Sequence, residues 1–248
     1  MLRLGSILFG LFLLAQGAGM LLPVWPARAV ASLALLAAIG ALYKAVTTPG
    51  WAFGPALQRV PNSDRVALTF DDGPDPESTP ALLEALRQAE MKATFFLLVD
   101  RAEAHPELAR AIAAEHEVGL HGLEHSIRTA LYPPSWGERR LREGARRLGA
   151  VLGQEVRIYR PPFGITTPRL PKAVERAGLQ TIWCSLRTYD GSGVKGEALL
   201  AACRKAQGGD IVLLHEGRPS TTELVPRVLA ELQERGLRSV TVGELQQG

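Results

Sequence analysis

The sequence has 248 residues, of which 46% are hydrophobic, and this composition excludes an intrinsically disordered chain and allows one domain with a buried core. The formal net charge is +3, and residues 1–50 contain three basic side chains, Arg3, Arg28 and Lys44, and no acidic one. The other 198 residues therefore balance 25 basic against 25 acidic side chains, so the charge does not indicate nucleic-acid binding.

Residues 1–46 are predicted to form a hydrophobic membrane anchor of one or two helices. Leu4–Leu22 is an uncharged run long enough to cross the core of a bilayer. The shorter apolar run Val30–Tyr43 would form the second helix of a membrane hairpin. The alternative is a secretory signal that is cleaved near Ala27–Ala29. We expect the folded part to be membrane-anchored on the extracytoplasmic side, or secreted if the signal is cleaved.

Residues 47–64 contain several glycines and prolines and are predicted to be a linker, whereas residues 65–248 are predicted to form one folded domain. Alternating runs of β-type residues predict seven strands: Arg65–Phe70, Ala93–Val99, Glu117–Leu120, Arg157–Arg160, Thr181–Leu186, Ile211–Leu214 and Arg238–Val242. The segments between them predict helices. This alternation predicts a parallel sheet, either closed into a barrel or open and doubly wound, with functional side chains at the C-terminal ends of the strands.

Asp71 and Asp72 follow the first predicted strand. Two adjacent carboxylates repel each other unless a cation or a proton lies between them. A metal ion would relieve this repulsion, and the alternative is a local role of one aspartate in the turn before Gly73. The pair therefore indicates a metal site only together with further ligands.

His121 and His125 follow the third predicted strand, and their spacing of four residues would bring both imidazoles to one side of a helical turn. Two histidines and one carboxylate form a ligand set that leaves positions open for water and substrate. We therefore predict one divalent metal ion, zinc in the first place, with cobalt or nickel as alternatives. The other two histidines outside the strand ends, His105 and His116, are predicted to be surface or packing residues.

Three further predicted strand ends also carry polar groups. Arg160 begins the segment Arg160–Gly164, the next segment runs from Ser185 to Asp190, and His215 follows an apolar strand. Polar side chains at the C-terminal edge of a parallel sheet are typical of a binding site. For His215, a buried histidine of the core is the alternative.

The motifs, in this order, resemble those of the polysaccharide deacetylases of carbohydrate esterase family 4, also called the NodB homology domain, over about Arg65 to Leu245. Thr69–Gly73 is identical to the family's TFDDG motif, Arg160–Gly164 resembles its arginine–proline–aromatic–glycine motif, and Leu213–His215 resembles its closing leucine–x–histidine motif. The resemblance implies an α/β fold, a distorted seven-stranded (β/α) barrel preceded by the N-terminal hydrophobic membrane segment.

The resemblance also implies roles for single residues. As the catalytic groups it implies Asp71 as general base, His215 as general acid, Arg160 to orient Asp71, and Asp190 to tune His215. As the metal ligands it implies Asp72, His121 and His125. As substrate-binding residues it implies Phe163, whose backbone N–H would hold the oxyanion, Leu213 at the acetyl methyl, and Pro162.

The sequence departs from the family pattern at three positions. Gly122 stands where the family usually has a serine or threonine, Arg187 where an aspartate is common, and Gly191 where a tryptophan usually walls the groove. These departures affect the surroundings of the metal ligands and leave the ligands themselves in place.

The function expected from the resemblance is the metal-dependent hydrolysis of N-acetyl groups, with O-acetyl groups as a variant, on an acetylated glycan such as peptidoglycan or a chitin-like oligosaccharide. The alternatives are a hydrolase of another non-peptide C–N bond and a weakly active, membrane-tethered glycan-binding relative. The expected partners are the acetylated glycan and the membrane, with no nucleic acid and no protein partner. Cys184 and Cys203 leave a single disulfide open.

Overall fold

The computed structural model describes residues 24–47, 55–61 and 63–247. The strands of this part are β1 (Arg65–Gly73), β2 (Ala93–Leu98), β3 (Glu117–Gly122), β4 (Ile158–Tyr159), β5 (Gln180–Thr181), β6 (Leu186–Arg187), β7 (Ile211–His215) and β8 (Arg238–Ser239). The helices are α1 (Val24–Thr47), α2 (Thr79–Gln88), α3 (Val99–Ala104), α4 (Pro106–Glu115), α5 (Arg128–Leu131), α6 (Pro134–Leu152), α7 (Leu170–Arg176), α8 (Gly196–Cys203), α9 (Pro219–Glu234) and α10 (Val242–Gln247). Short 3-10 helices lie at Pro162–Gly164 and Asp190–Ser192.

The two edge strands of the sheet are close neighbours in the sequence, which shows that the sheet is curved. The strands follow the order β5-β4-β3-β2-β1-β7-β6, all pairs are parallel, and β8 pairs with the start of β1. The two edge strands, β5 and β6, are separated by the segment 182–185 alone. So short a connection between opposite edges requires a curved sheet, and the fold is therefore a distorted β/α barrel and not an open doubly wound sheet.

Alternation along β1 gives the barrel an inner and an outer face. One set of alternate residues packs in the large core that includes the helices: Val66, Leu68 and Phe70. The other set faces the interior: Ala67, Thr69 and Asp71. A small buried cluster lies inside the curve and takes residues from several strands: Ala67, Phe96, Ile158, Ile182 and Ile211. Because side chains of a strand alternate between faces, every second residue of each strand faces the interior.

The helix α6 packs against the outer face of β3. Its buried positions Leu141, Gly144 and Leu148 recur every three or four residues, as expected of a helix with one apolar face. A Cβ atom on Gly144 would lie 3.1 Å from the side chain of Leu120 in β3, so the glycine allows the helix to approach the sheet closely. The helix ends at Gly153, which has a φ of 72° and takes up the left-handed conformation that glycine allows.

The predicted linker 47–64 includes residues that pair with the barrel. The backbone N–H of Leu57 donates to the carbonyl of Thr181 (3.0 Å), and the N–H of Trp183 donates to the carbonyl of Leu57 (2.7 Å). The N–H of Val60 donates to the carbonyl of Gly209 (2.9 Å). These residues therefore lie between β5 and the segment that precedes β7, and the barrel includes chain that precedes Arg65.

One predicted strand was wrong. The run Thr181–Leu186 forms two short strands at opposite edges of the sheet, because the segment between them crosses the gap and bonds with Leu57 and Ile211 instead of with one neighbouring strand. A continuous apolar run has the same sequence pattern whether it pairs with one strand throughout or changes its partners along its length.

The structure also answers the open question of a disulfide, since Cys184 and Cys203 are both buried and both free.

The predicted membrane segment is described only in its second part. The run Leu4–Leu22 lies outside the described residues, whereas Val30–Tyr43 lies within α1. Among the helices that the structure describes, none is both long and apolar enough to span a bilayer.

Candidate functional site

A cleft of about 280 Å³ opens at the C-terminal ends of the strands. The residues that line it come from widely separated parts of the chain: Asp71, Asp72, His121, His125, Arg160, Pro161, Phe163, Gly164, Trp183, Cys184, Arg187, Tyr189, Gly191, Ser192, Leu213, His215 and Arg218. The lining includes every residue that the sequence predicted to be catalytic or to bind metal, with the exception of Asp190, which lies behind His215.

Strand alternation explains how four strands deliver side chains to one place. Asp71, the last interior residue of β1, is the register partner of His215 in β7. His121 in β3 and Arg160, directly after β4, occupy the same interior positions of their strands. All four side chains therefore point into the mouth of the barrel, where parallel strands place their C-terminal ends.

Asp72 reaches the same cleft although it follows Asp71 directly. Its φ is 74°, a left-handed conformation that aspartate tolerates better than most residues, and the register with β2 shifts between Asp71 and Gly73. Such an irregularity redirects a side chain that regular alternation would send to the other face. Arg101 donates to the backbone carbonyl of Asp72 (2.6 Å) and supports this turn.

Asp72, His121 and His125 form a set of possible metal ligands. Oδ1 of Asp72 lies 3.4 Å from Nε2 of His121 and 3.3 Å from Nε2 of His125, and the ligand atoms of all three residues lie within 4.8 Å of one another. The prediction that both histidines share a helical turn was wrong. His121 belongs to β3 and His125 to the following loop, which Gly122 allows to turn with a φ of 140°.

The surroundings of these three residues fit a bound cation. Oδ1 of Asp72 is buried and has no hydrogen-bond partner within the described ranges 24–47, 55–61 and 63–247, which is costly unless a cation takes that place. Nδ1 of His121 lies 3.0 Å from the carbonyl of Arg160, so a proton on Nδ1 leaves Nε2 as a ligand. Burial lowers the pKa of His125 and favours its neutral form, in which the imidazole can ligate a metal.

The pKa of Asp72 also fits this ligand role. Burial alone would raise it, but the neighbouring imidazoles of His121 and His125 outweigh burial and lower the pKa to about 2. Asp72 is therefore ionised over the whole range in which the protein is expected to work, and it offers a full negative charge to a cation.

Asp71 is held by Arg160 in the interior of the barrel. Nη1 of Arg160 donates to Oδ1 of Asp71 (2.8 Å) and to Oγ1 of Thr69 (2.7 Å), and Nη2 donates to the carbonyl of Trp183 (2.9 Å). The guanidinium also lies 4.1 Å from the centre of the Phe96 ring. With so many contacts to neighbouring strands, Arg160 fixes the position of the carboxylate and offsets its charge.

His215 is held by Asp190. Oδ1 of Asp190 lies 2.8 Å from Nδ1 of His215, and Oδ2 accepts a hydrogen bond from the backbone N–H of the same histidine (2.8 Å). Burial alone would lower the pKa of His215, but the bond to Asp190 and the charge of Asp71 outweigh it and raise the pKa above its ordinary value. Asp190 itself has its pKa lowered, because the bonds from His215 and Thr221 outweigh burial.

Comparison with known proteins identifies the family of this chain. Residues 58–182, half of the chain, match the model of the family described as polysaccharide deacetylase. The chain belongs to the polysaccharide deacetylase family. The family predicted from the motifs is therefore confirmed.

Individual relatives cover most of this polysaccharide deacetylase. A peptidoglycan-N-acetylglucosamine deacetylase of Bacillus cereus is 35% identical over 204 residues, which are 77% of this chain and 93% of the relative. A chitooligosaccharide deacetylase of Sinorhizobium fredii is 31% identical over 200 residues, 73% of this chain and 93% of the relative. The solved structure of a carbohydrate esterase family 4 pseudoenzyme from Bacillus anthracis is 29% identical, with a TM-score of 0.72, and covers 77% of this chain and 69% of its own.

Two of the three predicted substrate-binding residues of this polysaccharide deacetylase line the cleft, and the third does not. Phe163 and Leu213 line the cleft, and the Phe163 ring is exposed, with its centre 4.1 Å from that of His125. Pro162 does not line the cleft: it is buried, and the neighbouring Pro161 lines it instead. The turn at Phe163, with a φ of 58°, rotates the chain at this point, and this rotation could not be predicted from the motif.

The three departures from the family pattern all lie in or beside the cleft. A Cβ atom on Gly191 would lie 2.7 Å from Cε1 of His215 and 3.0 Å from both ring nitrogens, so this glycine packs directly against the imidazole. Gly122 provides the turn between the two histidines, and Arg187 lies in the cleft wall with its guanidinium 5.6 Å from the centre of the Trp183 ring.

Several polar residues around the site were not predicted from the sequence. The hydroxyl of Thr221 donates to Oδ2 of Asp190 (2.8 Å), and the hydroxyl of Thr188 lies 3.0 Å from Oδ1. These two threonines come from the segment before Asp190 and from α9, so no local motif connects them. Thr69, by contrast, could have been predicted from the sequence. It precedes Asp71 by two residues, so the two side chains lie on the same face of the strand.

Glu216 is a further residue that the motifs did not indicate. It follows His215, is buried, and accepts a hydrogen bond from the hydroxyl of Thr79. Burial raises its pKa to about 8, so the carboxyl is mostly protonated at neutral pH. A Cβ atom on Gly73 would lie 1.4 Å from Oε2 of Glu216, so the absence of a side chain at Gly73 leaves room for this carboxyl directly beneath the Asp71–Asp72 turn.

Proposed function

We propose that this chain is a divalent-metal-dependent hydrolase that removes N-acetyl groups from an acetylated glycan, such as peptidoglycan or a chitin-like oligosaccharide. One observation carries the proposal: a possible three-residue metal site, a carboxylate held by an arginine, and a histidine held by a carboxylate surround a single cleft. The names of the relatives from Bacillus cereus and Sinorhizobium fredii support a glycan as the substrate.

Asp72, His121 and His125 would hold the metal ion. Three protein ligands leave coordination positions open, as in hydrolytic metal sites. A divalent cation held there supplies Lewis-acid polarisation of the acetamide carbonyl and of water. Imidazole and carboxylate ligands suit zinc, and cobalt and nickel accept the same ligands.

The residues around the metal site divide the proton transfers between them. Asp71, positioned by Arg160, accepts a proton from the water molecule that attacks the acetamide carbonyl carbon. The backbone N–H of Phe163 donates to the carbonyl oxygen as it becomes negatively charged, and Leu213 contacts the acetyl methyl group. His215 then donates its proton to the amine nitrogen as the C–N bond breaks. Acetate and a free amino sugar are the products.

The elevated pKa of His215 supports its role as the acid. An imidazole that donates a proton to the leaving amine must be protonated at the start of the reaction, and the bond to Asp190 favours that form. Asp71 and Asp190 therefore act differently: Asp71 faces the attacking water, and Asp190 holds the histidine.

Acetate release is the direct test. The protein is stripped of metal, reloaded separately with Zn²⁺, Co²⁺ or Ni²⁺, and assayed on peptidoglycan fragments, on chito-oligosaccharides and on a panel of small amides. Acetate from the glycans, dependent on the metal, is the expected result. Activity on small amides alone, or full activity after complete chelation, would contradict the proposal.

A glycan-binding protein with weak or no turnover is the second candidate. The similarity to the Bacillus anthracis pseudoenzyme favours it, as does the replacement of an aspartate by Arg187 in the wall of the cleft. Binding of the glycans, measured by calorimetry, without acetate release from the metal-loaded protein would support this candidate over the enzyme.

We also propose that the N-terminal run Leu4–Leu22 tethers the protein to a membrane, with residues 55–247 on the extracytoplasmic side. The length and lack of charge of this run support the tether. Protease treatment of intact cells, followed by detection of an epitope at the C-terminus, tests the side. Loss of the epitope is expected, and its protection in intact cells but not in lysed cells would place the domain on the inner side.

A further inference from the structure

We propose that Arg187 and Arg218 make this cleft selective for acetylated glycans that carry a carboxylate close to the reacting acetamide. This selectivity rests on the proposed function, and it names the substrate class of the same site. The residues that line the cleft include three arginines, Arg160, Arg187 and Arg218, and two aspartates, Asp71 and Asp72. Arg160 is bonded to Asp71, and Asp72 belongs to the metal ligands, whereas Arg187 and Arg218 are two further guanidinium groups in the lining of the same cleft.

Arg187 lies at a fixed place close to the reacting groups. It belongs to β6 and is the register partner of Leu213, two residues before His215. Its guanidinium lies 5.6 Å from the centre of the Trp183 ring, and its Nη2 lies 3.2 Å from the position that a Cβ atom on Gly164 would take. A half-buried guanidinium that is already held by such contacts loses little further freedom when it binds a ligand.

Arg218 lies on another side of the same cleft. It is exposed, follows His215 by three residues, and precedes the helix α9. It also borders a neighbouring hollow whose lining includes the carboxylates of Asp75, Glu77 and Glu223, so it lies at the boundary between the catalytic cleft and an acidic region. An anionic substituent is therefore attracted to the Arg218 side of the cleft and is repelled by the hollow beyond it.

The chemistry of the two side chains favours a carboxylate on the substrate. A guanidinium presents parallel N–H donors that match the two oxygens of a carboxylate, whereas an uncharged sugar offers only hydroxyl groups to them. Two sources of a carboxylate are compatible with this chemistry: an acid substituent on the neighbouring sugar, and the carboxylates of a peptide attached to that sugar.

The test compares tetrasaccharides of equal length that differ only in charge. The first contains N-acetylglucosamine alone, and the second alternates it with a sugar bearing a lactyl carboxylate. In the third this carboxylate is converted to a carboxamide, and in the fourth it carries a short peptide. We expect kcat/KM for acetate release to be at least about tenfold higher for the second than for the third, the effect of one charge-assisted hydrogen bond. A higher value for the fourth than for the second would assign the preference to the peptide.

Variants connect the preference to the two arginines. In Arg187→Gln the ratio between carboxylate and carboxamide substrates is expected to fall about tenfold, and Arg218→Gln should have a smaller effect because its side chain is exposed. Arg187→Lys keeps the charge without the paired donors and should retain part of the ratio. The matched control is Arg227→Gln, which removes an exposed arginine of α9 outside the cleft and should leave the ratio unchanged.

Binding measured by calorimetry on the metal-loaded Asp71→Asn variant gives the same comparison without turnover. Equal binding and equal kcat/KM for carboxylate and carboxamide substrates, or a preference that survives the double variant Arg187→Gln, Arg218→Gln, would overturn the selectivity and leave the deacetylase proposal intact. A carboxylate preference in binding with no acetate release from any substrate would instead overturn the proposed function alone. Stronger binding of a sulfated glycan than of the carboxylated one would overturn the choice of a carboxylate.

Discussion

Asp71 and Asp72 are neighbours in the sequence, but the backbone gives them different surroundings. Asp71 lies in regular strand geometry and is bonded to Arg160, whereas the left-handed conformation of Asp72 turns its carboxylate toward two imidazoles. One aspartate is therefore already paired with a cation of the protein, and the other has a buried oxygen without a partner in the described part of the chain. Their separate substitution should separate catalysis from metal binding.

We predict that Asp71→Asn retains the metal and loses hydrolysis by a factor of at least about 10³, because asparagine cannot accept the proton of the attacking water. His125→Ala should lose both, because it removes a metal ligand. Metal content by atomic spectroscopy and acetate release are measured on the same samples. His105→Ala, at a histidine outside the cleft, is the control and should change neither quantity. Retention of full activity by Asp71→Asn would exclude it as the base.

The pair His215–Asp190 makes a prediction about pH. The proposed role of His215 as the acid requires its protonated form, so we expect activity to be lost as pH rises through its pKa, which the bond to Asp190 raises. Asp190→Asn removes the charge behind this bond, so the alkaline limb of the profile of kcat against pH should move to lower pH by about one unit. Thr221→Val removes one bond to Asp190 but keeps its charge, and the shift should be smaller. An unchanged alkaline limb in Asp190→Asn would contradict the role of the pair.

At the scale of single elements, the short 3-10 helix Asp190–Ser192 packs against the imidazole of His215 through its second residue. Gly191 has no side chain, and a Cβ atom there would lie 2.7 Å from Cε1 of His215, while Oδ1 of Asp190 lies 2.8 Å from Nδ1 of the same ring. The ring therefore has little room to move. Gly191 stands where the family usually has a tryptophan, and it contacts the imidazole of His215 directly.

We predict that Gly191→Ala lowers kcat by about tenfold or more, since a displacement of the acid by a fraction of an ångström weakens proton transfer. The Tm should change little, because His215 lies at the rim of the cleft. The matched control is Lys195→Ala, which shortens an exposed side chain shortly after the same element and outside the lining of the cleft. Equal kcat in Gly191→Ala and in the unchanged protein would show that the ring can move freely.

At the scale of the whole molecule, the barrel depends on chain that precedes its first strand. Leu57 and Val60 bond with residues on both sides of the gap between β5 and β7, and the side chain of Leu57 packs against the interior cluster. The segment therefore closes an opening that the strands alone leave. The part of the chain needed for stability begins before Arg65.

Truncation tests this closure. A protein of residues 55–248 should be more stable to unfolding than one of residues 65–248 by about 3 kcal/mol, from three backbone hydrogen bonds and the burial of Leu57. Urea unfolding of both proteins, each with bound metal, measures the difference. Leu57→Ala in the longer protein should account for part of it. Equal midpoints of the two proteins would mean that the segment adds nothing to the barrel.

The sequence by itself determined the family, the alternation of strands and helices, and nearly all of the residues that meet in the cleft. These follow from local properties: apolar periodicity fixes which segments form strands, and polar residues directly after apolar strands lie at one edge of a parallel sheet. The motif residues Asp71, Asp72, His121, Arg160 and His215 all have such positions.

The tertiary structure alone decided how the sheet closes and how the side chains turn at its mouth. The run Thr181–Leu186 divides between two edges because its partners are distant in sequence, and Leu57 closes the gap for the same reason. Backbone turns at Asp72 and Phe163 decide that both aspartates enter the cleft and that Pro161 lines it in place of Pro162. Pairing between distant segments and left-handed turns depend on the packed fold, and the local pattern of residues does not contain them.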